Sequence, residues 1–223
     1  MTPAKRLEGM YARLRARFGH QRWWPGETAV EVLVGTVLTQ NTNWGNVEKA
    51  IANLKGAGAL ELGKLYGLGP AGIAPFIRPA GYFNVKARRL HNLVAFVVER
   101  YGGELSAMRE RPTADLRAEL LAINGIGPET ADCILLYVLE KPVFVIDAYT
   151  RRILSRHGHL GADASYDDYQ TYFHRHLPAE VGLFNDFHAQ FVVLAKTHCR
   201  AREMRCGECP LGDLPCTPKP AEQ

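Results

Sequence analysis

The stretch "PTADLRAELLAINGIGPETADCILLYVL" (112–139) decides the fold, because it predicts two helices joined by a tight turn. Thr113 is expected to cap the first helix, and Pro128 suits the first turn of the second. Gly125 and Gly127 allow the sharp turn, and free N–H groups at the second helix can grip a phosphate. An ordinary helical hairpin with a glycine turn would show the same pattern. The second helix is expected to pack through Ala131, Ile134, Leu135, Val138 and Leu139.

Apolar residues at helical spacing also precede the hairpin. Residues 28–40, the segment from Trp44 onward and residues 85–101 each place an apolar stripe on one helix face. No segment alternates as a strand would. These patterns predict an all-α fold.

Composition excludes several classes of protein. With 47% apolar and 22% charged residues in 223, the chain is long enough for one core or two small helical lobes without disulfides. Residues 1–20 contain basic side chains and no apolar run, so we expect neither a signal peptide nor a membrane span, and an intracellular, cytoplasmic protein. A net charge of +4 permits a polyanionic partner without requiring one.

Four of the five cysteines fall at the end of the chain, in "CRAREMRCGECPLGDLPC" (199–216). Four thiolates on a short loop predict a metal centre, while Cys133 stands apart in an apolar stretch and is expected in the core. Disulfides fit an intracellular chain poorly, and zinc usually prefers two CxxC pairs, whereas this segment has one. The candidate metal ligands are Cys199, Cys206, Cys209 and Cys216.

An acidic residue follows the hairpin within "PVFVIDAYTRRIL" (142–154). Asp147 ends a short apolar run and precedes a basic helix. Capping that helix is the usual role of an aspartate in this position.

Hairpin, aspartate and cysteine loop occur in the order found in the endonuclease III superfamily of helix-hairpin-helix DNA glycosylases, which the chain resembles over nearly its whole length. The last cysteine spacer is one residue longer than in the family pattern. The resemblance implies a [4Fe-4S] cluster on the four cysteines, a catalytic role for Asp147, and damaged double-stranded DNA as partner of a monomer. It also implies phosphate contacts from the loop arginines Arg200, Arg202 and Arg205.

The resemblance further implies two helical lobes with the lesion bound between them. We expect a central lobe over 28–139, with the helix-hairpin-helix at about 113–139. The second lobe would combine 1–27 with 140–223 and end in the iron–sulfur loop at 199–216.

Within the superfamily, "WWP" (23–25), "VLTQNT" (37–42), "RPAGYFNVKARRL" (78–90) and "GIGPETAD" (125–132) resemble the 3-methyladenine DNA glycosylases. Those enzymes carry glutamate, here Glu129, where bifunctional members have the lysine that forms a Schiff base. The resemblance implies that Trp23 and Trp44 sandwich the flipped base, within a pocket that includes Trp24 and Pro25. Gln40 and Tyr82 would enter the duplex, and Lys86 is a further candidate DNA contact.

These residues predict a monofunctional glycosylase that hydrolyses the N-glycosidic bond of alkylated purines. A cationic purine suits an aromatic slot and is already a good leaving group. One rival is a bifunctional enzyme for oxidised pyrimidines that uses another lysine, such as Lys86 or Lys196. The other is a DNA-damage-binding protein with little or no catalysis.

Overall fold

The computed structural model describes residues 1–217, which fold into helices without a strand in that range. The prediction of an all-α protein is confirmed. None of the helices in this part of the chain is long and apolar enough to cross a membrane.

The chain divides into two compact units, one from Trp24 to Lys141 and one from Met1–Trp23 with the chain from Pro142 on. We had expected the divisions at 27/28 and 139/140. The helices of the first unit are α2 Ala29–Leu38, α3 Trp44–Gly56, α4 Leu62–Ile73, α5 Phe83–Tyr101, α6 Leu105–Arg109, α7 Thr113–Leu121 and α8 Pro128–Cys133. Those of the second unit are α1 Pro3–Phe18, α9 Ala148–Arg156, α10 Tyr166–His176 and α11 Val181–Thr197.

Helix α2 forms the centre of the Trp24–Lys141 unit. Thr28 caps it by accepting a hydrogen bond from the Glu31 amide at 3.1 Å, as Thr at an N-cap does. Every residue from Glu31 to Leu38 is buried, so the helix is enclosed on all sides. Helix α5 and the turn that follows α8 pack against it. The apolar stripes predicted for α3 and α5 are buried as expected.

The hairpin helices differ from the prediction in two respects. Pro112, not Thr113, is the N-cap of α7, and no side chain caps that helix. Pro128 opens α8 as predicted, but α8 is six residues long and continues into a π-helical turn over Ile134–Val138. The apolar residues predicted for this segment are all buried, and so is Cys133.

Aromatic side chains fill the core of the other unit. Phe144 stacks on Phe173 with ring centroids 3.6 Å apart, and the rings of Phe184 and Phe187 meet it edge-on. Helix α1 adds Leu7, Met10 and Leu14, which are fully buried. This packing holds the short extended segment Val143–Ile146 in the interior. The position of Asp147, the next residue along the chain, is fixed as a result.

Candidate active site and metal centre

The hairpin turn gives its two glycines different roles. Gly125 has φ 96°, and an added Cβ would collide with the side chain of Arg89, so glycine is required there. Gly127 has an extended backbone, is exposed, and has nothing within 4 Å of an added Cβ. The space beside Gly127 is therefore open at the amino end of α8, as an approaching phosphate would require.

Gln40 lies just after α2 and is bound to the hairpin through both atoms of its amide. Its Nε2 donates to the Gly125 carbonyl at 3.2 Å and to the Thr130 hydroxyl at 3.1 Å. Its Oε1 accepts from the Arg89 guanidinium at 2.5 Å. The side chain predicted to enter the duplex is thus held in one orientation against the hairpin.

The structure corrects the prediction that Lys86 contacts DNA. Lys86 is 2% exposed, and its Nζ donates to the carbonyls of Leu38 at 2.8 Å and Ala80 at 2.7 Å. Burial, with a smaller contribution from the Arg89 charge, lowers the pKa of Lys86 to about 8. An ammonium group turned inward to two backbone carbonyls cannot at the same time bind a phosphate on the surface.

Tyr82 lies between Gly81 and the first residue of α5. It is 74% exposed and adopts a left-handed backbone conformation, with φ 45° and ψ 34°. Such a conformation costs a non-glycine residue about 1 kcal/mol or more. An exposed aromatic ring at a strained position fits the predicted contact with DNA, which stays a prediction.

Three aromatic side chains of the Trp24–Lys141 unit form a cluster. The Trp24 indole meets Trp44 edge-on at 5.4 Å between ring centroids and Tyr137 at 5.2 Å, tilted by 51°. Gly35 leaves room for the Trp24 ring, since an added Cβ would lie 3.3 Å from its Nε1. Trp23, in the other unit, is partly exposed, and Pro25 is exposed. Tyr137 was not predicted, because the π-helical turn that contains it leaves no clear mark in the sequence.

Asp147 lies at the amino end of α9 with a side chain that is 12% exposed. Its Oδ1 accepts a hydrogen bond from the Thr150 amide at 2.7 Å, so the capping role is real. Its Oδ2 lies 3.5 Å from Nε2 of His188, a buried residue of α11 that the sequence reasoning missed.

Electrostatics favour the ionised form of Asp147. Burial by itself raises the pKa of its carboxyl, but the nearby His188 imidazole and the hydrogen bond from Thr150 outweigh burial, so the pKa lies below its ordinary value. Asp147 is thus a carboxylate at neutral pH, largely shielded from water.

Glu129 is exposed in the first turn of α8. The helix dipole favours an acid there, which accounts for its presence without a catalytic role.

The four clustered cysteines line one cavity together with Arg156 and His157. Burial raises the pKa of the Cys209 thiol, and the charges of the other three cysteines raise it further, as expected when four thiols face one another. The Arg156 guanidinium donates to the Cys199 Sγ at 3.2 Å and to the carbonyls of two loop residues. Gly212 allows the loop to close, because an added Cβ would collide with the Cys206 carbonyl.

The four thiols are the donor set that an iron–sulfur cluster uses. Within residues 1–217, no group of three or more His, Cys, Asp or Glu side chains is placed so that it could hold a metal ion.

The loop arginines predicted to contact phosphates are all exposed. Arg200 lies 3.2 Å and Arg205 3.3 Å from the Glu203 carboxylate. Exposed pairs of this kind contribute at most about 1 kcal/mol, so a phosphate could replace Glu203 as their partner.

Comparison with known proteins gives a consistent result. Residues 34–179 match the HhH-GPD superfamily of base excision DNA repair proteins. A protein of Methanocaldococcus jannaschii, provisionally named a DNA repair glycosylase, is 46% identical over 206 residues, which are 92% of this chain and 93% of that protein.

Two solved structures extend the likeness to the fold. The Helicobacter pylori 3-methyladenine DNA glycosylase bound to 1,N6-ethenoadenine is 28% identical, with a TM-score of 0.75 over 88% of this chain and 98% of its own. A non-covalent endonuclease III–DNA complex is 21% identical, with a TM-score of 0.81 over 97% and 96% of the two chains, and its likeness concerns the fold alone.

Proposed function

The chain belongs to the HhH-GPD superfamily of base excision DNA repair proteins, as a DNA glycosylase, and we propose that it hydrolyses the N-glycosidic bond of alkylated purines flipped out of double-stranded DNA. We propose 3-methyladenine as the model substrate and a reaction without strand cleavage. The setting of Asp147 carries this proposal.

Asp147 would act on the sugar of the flipped nucleotide. As the bond from C1′ to the base breaks, the base leaves with the electron pair and positive charge develops on the sugar. A shielded, ionised carboxylate stabilises that charge more strongly than one in bulk water would. Water then attacks C1′, and Asp147 accepts the proton that the water loses.

The cluster of Trp24, Trp44 and Tyr137 supports the choice of an alkylated purine. Aromatic faces attract a cationic base through cation–π interaction, worth about 0.5–2 kcal/mol. The H. pylori enzyme, 28% identical, is named for 3-methyladenine, which favours the same substrate class here. Trp23 and Pro25 are proposed to complete the pocket.

The proposal that the strand is not cleaved depends on which amines could form a Schiff base with the sugar. Glu129 occupies the position that the resemblance assigns to the Schiff-base lysine, and a carboxylate cannot form that adduct. Lys86 is enclosed and bound to two carbonyls. Lys196, on α11, is exposed and remains the amine that a rival mechanism would need.

Cys199, Cys206, Cys209 and Cys216 would hold a [4Fe-4S] cluster. Such a cluster cross-links the loop that carries Arg200, Arg202 and Arg205 and thus fixes where those charges lie. Arg156 would neutralise part of the negative charge of the thiolates.

The protein would bind DNA mainly through the phosphates and would not recognise the base sequence. The open amino end of α8 at Gly127 and the loop arginines offer contacts for phosphates. Gln40 and Tyr82 are the side chains proposed to fill the space that the flipped base vacates. The protein would act as a monomer.

A panel of duplexes tests this function directly. The duplexes carry 3-methyladenine, 7-methylguanine, thymine glycol, uracil, a T·G mismatch or an abasic site, and released base and strand cleavage are measured separately. We expect release of the alkylated purines and no cleavage of the abasic strand. Release of thymine glycol with strand cleavage would favour the bifunctional alternative, and no release from any duplex would favour a damage-binding protein.

A further inference from the structure

The two oxygens of the Asp147 carboxylate have different partners. Oδ1 is fixed by the Thr150 amide of its own helix, at 2.7 Å. Oδ2 faces Nε2 of His188 on α11, at 3.5 Å. If the hydrogen bond from the Thr150 amide were the only contact, the carboxylate could rotate about the Cβ–Cγ bond of Asp147.

We infer that His188 is a positioning residue for Asp147 and keeps the second carboxylate oxygen in one orientation. The inference rests on the proposed catalytic role of Asp147. It assigns to His188 no bond-making step and no contact with the substrate.

His188 is itself held firmly. It is 4% exposed, and its ring packs edge-on against Phe144, which belongs to the aromatic core of this unit. Because water is excluded around both partners, their attraction is stronger than that of a surface pair. The imidazole therefore acts as a fixed support rather than as a mobile surface side chain.

Three titratable groups of α1 and α10 have hydrogen-bond partners other than His188. Tyr11 and Arg15 of α1 bond to Asp186, two residues before His188 on α11. His174 of α10 accepts a hydrogen bond from the Phe144 amide.

The pairing has a consequence for pH. Without His188, the largest influence that offsets burial would be lost, so the pKa of Asp147 would rise. The carboxylate would then take up a proton at a higher pH, so the acid limb of the rate profile would move upward. A histidine that only fills space would not produce such a shift when it is replaced.

His188→Gln and His188→Phe test the inference. The first removes the imidazole and keeps a polar side chain, and the second keeps a ring without nitrogen atoms. Single-turnover release of 3-methyladenine is measured from about pH 5 to pH 9, together with affinity for a duplex containing an abasic-site analogue. His176→Gln, which alters a partly exposed histidine of α10 in the same unit, is the matched control.

We expect both variants to lose at least about tenfold in release rate, because small displacements of a catalytic group are costly, with affinity for the analogue largely kept. The loss should be larger at low pH than at high pH, and His176→Gln should match the wild type. If His188→Phe fails to fold, the glutamine variant alone decides. A rate profile identical to that of the wild type, or an equal loss at every pH, would overturn the inference. If Asp147→Asn proves fully active, the proposed function itself has failed.

Discussion

Asp147 and Glu129 are two acids at the amino ends of two helices, and they differ in their exposure to water. Glu129 is exposed in the first turn of the six-residue helix α8. Asp147 is 12% exposed, caps the nine-residue helix α9, and faces His188. The helix dipole favours both acids, but Asp147 is shielded from water and Glu129 is not.

The difference shows why a first-turn acid is weak evidence of catalysis. An exposed carboxylate is screened by water and can stabilise a nearby positive charge only slightly. A shielded carboxylate acts more strongly, provided that its neighbours keep it ionised. Asp147 meets this condition through His188 and Thr150.

Asp147→Asn should have the largest effect on the rate of base release. Asparagine is as good an N-cap as aspartate, so α9 should persist while the negative charge is lost. We expect a loss of about 10³-fold or more in the single-turnover rate of 3-methyladenine release, equivalent to about 4 kcal/mol. Affinity for an abasic-site analogue and the melting temperature serve as controls. Unchanged release would remove Asp147 from the mechanism.

Lys86→Met tests whether a buried amine takes the place of the missing hairpin lysine. Its removal leaves the carbonyls of Leu38 and Ala80 without their donor, which should cost about 1–3 kcal/mol of the free energy of unfolding, measured with urea. Borohydride should trap no adduct with abasic DNA in either protein. An adduct that forms in the wild type and disappears in the variant would make Lys86 a nucleophile.

Lys86 also predicts a pH dependence of stability. Its pKa is about 8 in the folded protein and near the ordinary 10.5 once unfolded, so the unfolded chain binds the proton more tightly between these values. Its contribution to the free energy of unfolding should therefore rise as pH increases from about 8 to about 10.5. Urea melts across this range should show the rise in the wild type and a smaller one in Lys86→Met. Identical pH dependence in the two proteins would contradict the assignment.

Glu129→Gln should have the smallest effect. The change removes an exposed first-turn charge, worth about 0.3–1 kcal/mol of stability at low salt. We expect the rate of base release to fall by less than about tenfold, far less than for Asp147→Asn. A loss as large as that of Asp147→Asn would abolish the distinction between the two acids.

Much of the fold could be predicted because it depends on local patterns. The apolar stripes of α3 and α5 and Pro128 at the start of α8 all act within one or two turns. The spacing of the four cysteines also lies within one short segment. Local patterns of this kind can be interpreted from the sequence without any knowledge of tertiary contacts.

The errors and omissions depend on tertiary structure. Lys86 is predicted to contact DNA, yet it lies four residues before the buried Leu90, on the inner face of α5. That spacing was a signal that could have corrected the assignment. His188 lies far from Asp147 in the sequence, within a largely apolar helix where a histidine more often belongs to the core. Tyr137 was missed because the π-helical turn departs from regular helical spacing.

The most direct test of hydrolysis by Asp147 is a product analysis of wild-type protein on duplex DNA containing 3-methyladenine, with and without borohydride. Free base, an intact abasic strand and no covalent adduct are the expected products. A borohydride-trapped adduct, or a strand cleaved at the abasic sugar as fast as the base is released, would show that an amine carries out the reaction and would contradict the account.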